Sequence, residues 1–301
     1  MLAAVSRTSA FGIALVAHGT VDSVDQLPEF LLRIRRGRPP PEELIAEMRR
    51  RYSAIGRSPL LEVTQAQADA LAQEAGLPVF IGMRFWKPLL SDALRAAAEA
   101  GVDRLCVLPL APFSADTYTE ATQAAAGGLG VPGLAVPELV PVPPWGSHPD
   151  FVRACASQIG RVLQAQGREA RLVLTAHSLP LHFGHAAEQY RQRFVSCAQA
   201  VAGHLETDAA ICFQSQGDVG GEWLGPGLES VLEELAEQKP RSVVLAPIGF
   251  LAEHVETLFD LDIEAAASAE RLGLRLIRVP ALGTDPGLIR TLAALVRETL
   301  L

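Results

Sequence analysis

The sequence predicts an α/β protein with a parallel sheet in each of two similar halves, and three observations predict it. Short apolar runs bounded by Gly, Pro or polar residues alternate with longer Ala/Leu/Glu/Arg segments of helical period, the pattern of repeated βαβ units. One stretch echoes another: Ile13-Ala-Leu-Val-Ala-His-Gly19 resembles Leu172-Val-Leu-Thr-Ala-His-Ser178, each an apolar strand ending in Ala-His and a small residue. The chain has 301 residues, 49% of them hydrophobic, which suits one large α/β unit or two domains of about 150 residues each.

Taken in order, Phe11–Ala17 is an apolar run too short for a signal peptide, and it ends in His18-Gly19. It reads as a buried first strand. Helices are expected at 26–36, 41–54 and 60–75, a strand at 78–82, a helix at 88–100, and strands at 103–109 and 134–140. The tract Val136-Pro-Glu-Leu-Val-Pro-Val-Pro-Pro144 carries four prolines, which continue neither kind of element, so the boundary between halves is placed there. Beyond it come helix 149–166, strand 171–176, helix 184–203, strand 209–213, helix 227–238, strand 242–247, helix 252–270 and strand 274–279. The organisation read from this is an N-terminal half over 1–144, a C-terminal half over 145–284, and a last helix, 285–300, in a segment 285–301 that packs back on the body. Leu108-Pro-Leu-Ala-Pro-Phe113 and Leu245-Ala-Pro-Ile-Gly-Phe250 form a second echo at the ends of apolar runs. Ligands of open parallel sheets sit beyond the carboxyl ends of the strands, so the cleft between the halves is the expected site.

Composition excludes several classes. With 26 basic against 34 acidic residues the net charge is −8 and the pI near 5.4, which argues against a general nucleic-acid binder. The hydrophobic content rules out extensive disorder. No uncharged apolar run reaches the length of about 18 residues that a membrane span needs. Cys106, Cys155, Cys197 and Cys212 are separated by 49, 42 and 15 residues, without metal-knuckle spacing, so a reduced cytoplasmic compartment and no iron–sulfur cluster are expected. Neither G-x-x-x-x-G-K-[ST] nor a strand-linked G-x-G-x-x-G is present, which disfavours a nucleotide.

Three features could carry chemistry. His177 ends an apolar strand, where a histidine serves either as a capped structural residue or as a functional one. Glu253, Glu256, Asp260 and Glu264 follow at steps of 3, 4 and 4, on one face of a predicted helix. Such a row is either a solvated acidic face or a path for a cation, and its position after Pro247-Ile-Gly249 aims its first turn at the cleft. One imidazole and one carboxylate make an open coordination set, suited to holding a divalent ion such as Fe²⁺ in passage. Arg33, Arg35, Arg36, Arg38, Arg49, Arg50 and Arg51 place seven of the 26 positive residues within 19 positions. They form either a solvated helix pair or a site for an anion, a carboxylate before a phosphate.

These residues resemble the ferrochelatases, which insert Fe²⁺ into a porphyrin, and the likeness runs nearly end to end. Thr175-Ala-His-Ser-Leu-Pro180 is similar to the family's Ser-Ala-His-Ser-Leu-Pro signature. Pro247-Ile-Gly-Phe-Leu-Ala-Glu-His-Val-Glu-Thr-Leu-Phe259 resembles its second signature, with Glu253 where Asp is usual. Ser58-Pro-Leu60, Thr64, Gln65-Ala66, Gln214-Ser215 and Trp223-Leu-Gly-Pro226 match further landmarks. The resemblance implies two Rossmann-like, chelatase-type, doubly wound halves with a porphyrin cleft between them. It implies that His177 and Glu256 are the metal-handling, catalytic pair, with Asp260 and Glu264 as the acidic row leading to the surface.

Ile34-Arg-Arg-Gly-Arg38, Arg51-Tyr-Ser-Ala-Ile-Gly56 and Ser58 look most like the coproporphyrin branch, whose substrate carries four propionates. By that resemblance Arg35, Arg51, Tyr52, Ser58 and Tyr118 contact the porphyrin, and His18 stands where the branch often carries an axial Tyr. The implied substrates are a porphyrin and Fe²⁺, with no permanently bound cofactor. Coproporphyrin III is expected first and protoporphyrin IX second, while a sirohydrochlorin-type chelatase and a non-catalytic haem carrier are the further alternatives. A cytoplasmic monomer with no nucleic-acid or membrane partner, and at most a transient contact with another haem-pathway enzyme, completes the expectation.

Overall fold

A computed structural model describes residues 10–129, 135–167, 169–217 and 221–300. Its first half runs β1 (Phe11–Ala17), α1 (Leu27–Ile34), α2 (Glu42–Ile55), α3 (Leu60–Ala75), β2 (Val79–Met83), α4 (Leu90–Glu99), β3 (Arg104–Pro109), α5 (Ala115–Gly127) and β4 (Glu138–Pro141). The second half runs α6 (Pro149–Gln166), β5 (Ala170–His177), α7 (His185–His204), β6 (Ala209–Gln214), α8 (Leu228–Gln238), β7 (Ser242–Ala246), α9 (Val255–Leu258), a π-helical turn (Asp260–Ala265), α10 (Ala266–Arg271), β8 (Leu276–Arg278) and α11 (Pro286–Leu300).

The two sheets have four strands each, all parallel, in the orders β2-β1-β3-β4 and β6-β5-β7-β8. One topology is therefore written twice, with β1 and β5 as the equivalent inner strands. Both are apolar along nearly their whole length because helices cover both faces of such a sheet. Ile13 and Leu15 of β1 share one continuous core with Leu172 and Leu174 of β5. A chain of rings, Phe113–Phe194 at 5.6 Å and Phe194–Phe213 at 5.2 Å, ties α5's approach to α7 and β6. Helix α11 packs against α3 of the first half as well as α6 of the second.

Four elements differ from the sequence-based expectation. Helix α5 was not expected: its Thr- and Ala-rich sequence buries only Ala115 and Thr122 fully and so shows no strong apolar stripe. The expected helix 26–36 begins instead as a 3-10 turn at 24–26 before α1. The proline tract is not simply a linker. It contains β4, an edge strand that ends on Pro141, a place where proline costs no ladder bond. Residue 134 of the expected strand 134–140 lies outside the described residues. The expected helix 252–270 is broken into α9, the π turn and α10; Glu264 N–H donates to the Phe259 carbonyl five residues back, at 3.0 Å.

Candidate active site

The site gathers where the inner strands end. His18 follows β1 directly and His177 is the last residue of β5. The loop after β7 reaches β5 because residue 249 is glycine: a Cβ there would lie 2.7 Å from the Ala176 Cβ. That approach brings α9 and its Glu256 against His177. Gln214, at the end of β6, donates from Nε2 to the Glu256 carbonyl oxygen at 3.3 Å and is hydrogen-bonded to Thr175, so strands β5 and β6 fix the start of α9.

His177 Nδ1 and Glu256 Oε2 lie 3.0 Å apart, and His254 Nε2 is 3.7 Å from the same oxygen. Burial alone would drive both groups neutral. Their mutual attraction wins: His177 is raised above the ordinary imidazole value, and Glu256, beside His177 and His254, is held well below the usual carboxylate range. Each group therefore favours the charged form of the other. The carboxylate oxygen is off the line of the ring N–H, so Nδ1 has no aligned hydrogen-bond partner. Both side chains remain about one-third exposed, 34% and 31%, and are therefore reachable from solvent.

His18 has the opposite character. The protein packed around it lowers its value to about 4 although the residue keeps an exposed face; Glu256 raises it in part, and His254, Arg84 and His177 push it down further. Its imidazole is neutral at pH 7. Nδ1 shares a 3.3 Å hydrogen bond with the Tyr118 hydroxyl, and the ring tilts against Phe85 at 4.8 Å. Tyr118 is pushed up to about 12 by burial, with Arg84 opposing, and its ring carries the Arg84 guanidinium at 5.5 Å.

The acidic row leads away from this cluster. Asp260, 9% exposed, accepts from the Ser215 hydroxyl and from Arg51 Nη1, the latter at 3.0 Å. Burial, aided by Glu256 and Glu264, lifts its carboxyl to about 6 against the pull of Ser215 and Arg51. Ser215 holds a left-handed backbone, φ 58°, a strained conformation of the kind that gathers at functional sites. Glu264 is exposed and lies 3.4 Å from Arg50 Nη2. Glu253 is not part of the row: the chain is not yet helical there, and its carboxylate turns to Arg278 Nη1 at 2.8 Å and the Ala281 N–H at 2.9 Å.

The structure thus brings His18, Tyr118, His177 and Glu256 into one electrostatic neighbourhood and joins Asp260, Glu264 and Arg51 in a line beside it. Tyr52 sits in the core with its hydroxyl on Thr20 Oγ1 at 3.1 Å. Ser58 is buried with its hydroxyl unpartnered, and the buried Nε of Arg35 is also without a partner. The basic cluster divides: Arg33, Arg50 and Arg51 are spent on Glu29, Glu47, Asp260 and Glu264, whereas Arg35, Arg36, Arg38 and Arg49 form no ion pair among the described residues. Sequence reasoning passed over His254 although it stands inside the Glu-His-Val-Glu motif, and over Arg84, whose signal was its place just past β2, the neighbour of β1. Among the described residues no three His, Cys, Asp or Glu converge as a ready-made metal site, and no helix is long and apolar enough to cross a membrane.

Comparison with known proteins agrees with this arrangement. The ferrochelatase family profile matches residues 10–300. The ferrochelatase of Acidobacterium capsulatum is 34% identical, covering 96% of this chain and 94% of its own length. The coproporphyrin III ferrochelatase of Geobacillus thermodenitrificans is 32% identical, covering 96% of each. In fold alone, the solved structure of SirB from Bacillus subtilis with Fe³⁺ is similar, with a TM-score of 0.62 at 15% identity over 96% of this chain and 95% of that one. A duplicated parallel-sheet fold, a His–Glu pair at its strand ends and a match over almost all of its length together mean that this chain belongs to the ferrochelatase family of porphyrin metal chelatases.

Proposed function

We propose that the enzyme inserts Fe²⁺ into coproporphyrin III to give coprohaem, and the observation that carries the reaction is the His177–Glu256 ion pair opening onto the cleft and backed by Asp260 and Glu264. Insertion breaks two pyrrole N–H bonds, releases two protons and hands four nitrogen lone pairs to the metal. The chain's residues answer each need. Glu256, ionised, offers an oxygen to the incoming cation. His177 is the proton acceptor for the pyrrole N–H: a divalent cation beside Glu256 cancels the charge that raises the imidazole, so any proton on that one-third-exposed ring is lost to solvent and the freed nitrogen takes one from the pyrrole. His18, whose Nδ1 is engaged by the Tyr118 hydroxyl, would hold product iron through its other ring nitrogen.

The tetra-acid reading is supported by the cations around the cleft. Arg35 has an unsatisfied Nε, Arg84 is stacked on Tyr118 with no carboxylate partner among the described residues, and Arg51 lies within the same site. Arginine forks recognise carboxylates bidentately. Anaerobic Fe²⁺ insertion with coproporphyrin III and protoporphyrin IX offered in parallel tests the proposal. The tetra-acid should be preferred, and Arg35→Ala combined with Arg51→Ala should weaken it far more than the di-acid. Equal losses would remove the coproporphyrin assignment and leave protoporphyrin IX; no turnover with either ring would remove insertion itself.

A further inference from the structure

Arg51 makes two commitments at once: Nε to Glu47 Oε1 at 2.6 Å, one turn back on α2, and Nη1 to Asp260 Oδ1 at 3.0 Å on the π turn packed against α2. Arg50 repeats the pattern, holding Glu47 through Nε at 2.8 Å and Nη2 at 2.7 Å while Nη2 reaches Glu264 at 3.4 Å. Two guanidinium groups therefore lie on the acidic row, and both are stacked over the buried Phe259 ring, at 4.8 Å for Arg50 and 5.3 Å for Arg51. A carboxylate already neutralised by an arginine is a poor ligand for a divalent cation, because the ion pair must first be separated.

The geometry of Arg51 adds a constraint. A guanidinium grips a carboxylate bidentately along Nε/Nη2 or Nη1/Nη2, and each edge already has one nitrogen occupied, by Glu47 and Asp260 respectively. A ring carboxylate can take a full fork only by displacing one of them. Glu47 is held by both Arg50 and Arg51 from within its own helix, whereas Asp260 receives only Arg51 and the Ser215 hydroxyl. Asp260 keeps the Ser215 hydroxyl when Arg51 leaves, and an incoming cation can take the guanidinium's place there, so an exchange at Asp260 leaves no buried charge unpaired.

We propose that Arg51 is a plug in the cation path: it occupies Asp260 while the cleft is empty, and a porphyrin carboxylate draws it off, freeing Asp260 for Fe²⁺. Glu47 is the positioning residue that keeps Arg51 within reach of both partners. The consequence is an order of binding, ring before metal, that prevents the cation from entering a site with no ring to receive it. This rests on the porphyrin reading above, and linkage makes it reciprocal: whatever factor the ring contributes to metal affinity, the metal contributes to ring affinity.

The test uses copper(II) coproporphyrin III, which has the four carboxylates but no vacancy for iron. Anaerobic calorimetry would give the Fe²⁺ Kd of the whole protein with and without this ring, and of Arg51→Gln and Asp260→Asn with thermal melts as folding controls. In the wild type the ring should tighten Fe²⁺ binding by about 5- to 150-fold, the usual span of coupling between two sites. Arg51→Gln should bind Fe²⁺ tightly with no ring present and lose the coupling. Asp260→Asn should bind the ring more tightly than wild type, since Arg51 no longer has to leave a carboxylate; a merely structural Asp260 would give no such gain. An unchanged Fe²⁺ Kd in the presence of bound ring would overturn the plug and leave the porphyrin reading standing. Failure of the ring to bind the wild type would overturn both.

Discussion

Replacing Glu256 by Gln keeps the shape of the side chain and removes its charge, and the first consequence is on His177 itself. The two polar atoms are 3.0 Å apart, and each side chain is about one-third exposed, so the dielectric of water sets a lower bound on the attraction. That bound is about 1.4 kcal/mol, or roughly one pKa unit on His177. The imidazole is raised in the wild type by Glu256 and, less, by Asp260, against a burial that lowers it. Without Glu256 the burial prevails, so His177 should titrate at least about one unit lower in Glu256→Gln, below the ordinary histidine value of about 6.5. Stability must follow with a defined sign. A histidine raised on folding contributes stability that is complete below about 6.5 and is lost as pH rises through its folded value; a carboxylate depressed on folding contributes stability above its ordinary value near 4.3 and loses it as pH falls through its folded value. The Tm gap between wild type and Glu256→Gln should therefore be widest between about pH 5 and 6.5 and narrow toward pH 9. Proton NMR of the His177 ring and melting curves across that range check both statements. An identical His177 titration in the two proteins would refute the ion pair.

Two further predictions concern the core and the first histidine. Phe194, fully buried between Phe113 and Phe213, should cost about 3–5 kcal/mol on substitution by Ala. At about 2.1 cal/mol/K per residue over 301 residues, that is a Tm fall of about 5–8 °C by calorimetry, and a fall under 2 °C would mean that the ring chain is not the joint between elements it appears in the packing. His18, with an imidazole at about 4, should give added haem a nitrogen-ligated absorbance spectrum that stays constant from pH 5.5 to 8, and His18→Ala should abolish that spectrum. A spectral transition centred near pH 6.5 would show that His18 is not held neutral by its surroundings.

Much of this was legible in the sequence because strands buried on both faces announce themselves as apolar runs. All eight expected strands meet a strand, and the two similar halves expected from the twin Ala-His endings are present as two sheets of the same strand order. Helix α5 was hidden because it buries only Ala115 and Thr122 fully and so carries no stripe of large apolar side chains. Spacing also misled at Glu253, since steps of 3 and 4 imply a shared face only where the chain is helical, and α9 starts at Val255. The acidic row itself survives the break, because 256, 260 and 264 lie on successive turns through the π segment. Pairing was the least legible level: nothing in Arg49-Arg50-Arg51 says which arginine will stack on Phe259 and meet Asp260 more than 200 residues away, as their separation of 209 positions requires the finished fold.

The duplicated topology makes one comparison internal to the molecule. His18 and His177 occupy equivalent places, each at the end of an inner strand and each followed by a small residue. A repeat with identical surroundings would give them one protonation state. Instead α9 supplies a carboxylate 3.0 Å from His177, while β2's extension supplies Arg84 to the ring that hydrogen-bonds His18. One imidazole is raised by its carboxylate neighbour, and the other is lowered, by burial first and by the cations around it second. In the proposed reaction an imidazole beside a carboxylate suits proton handling and one set apart from it suits donation of a lone pair, and groups whose environments push their pKa values apart are how a fold divides such labour. The divergence of the two halves then suits the proposed reaction, and Glu256, which raises His177, is the residue whose replacement should bring the two imidazoles closer in character.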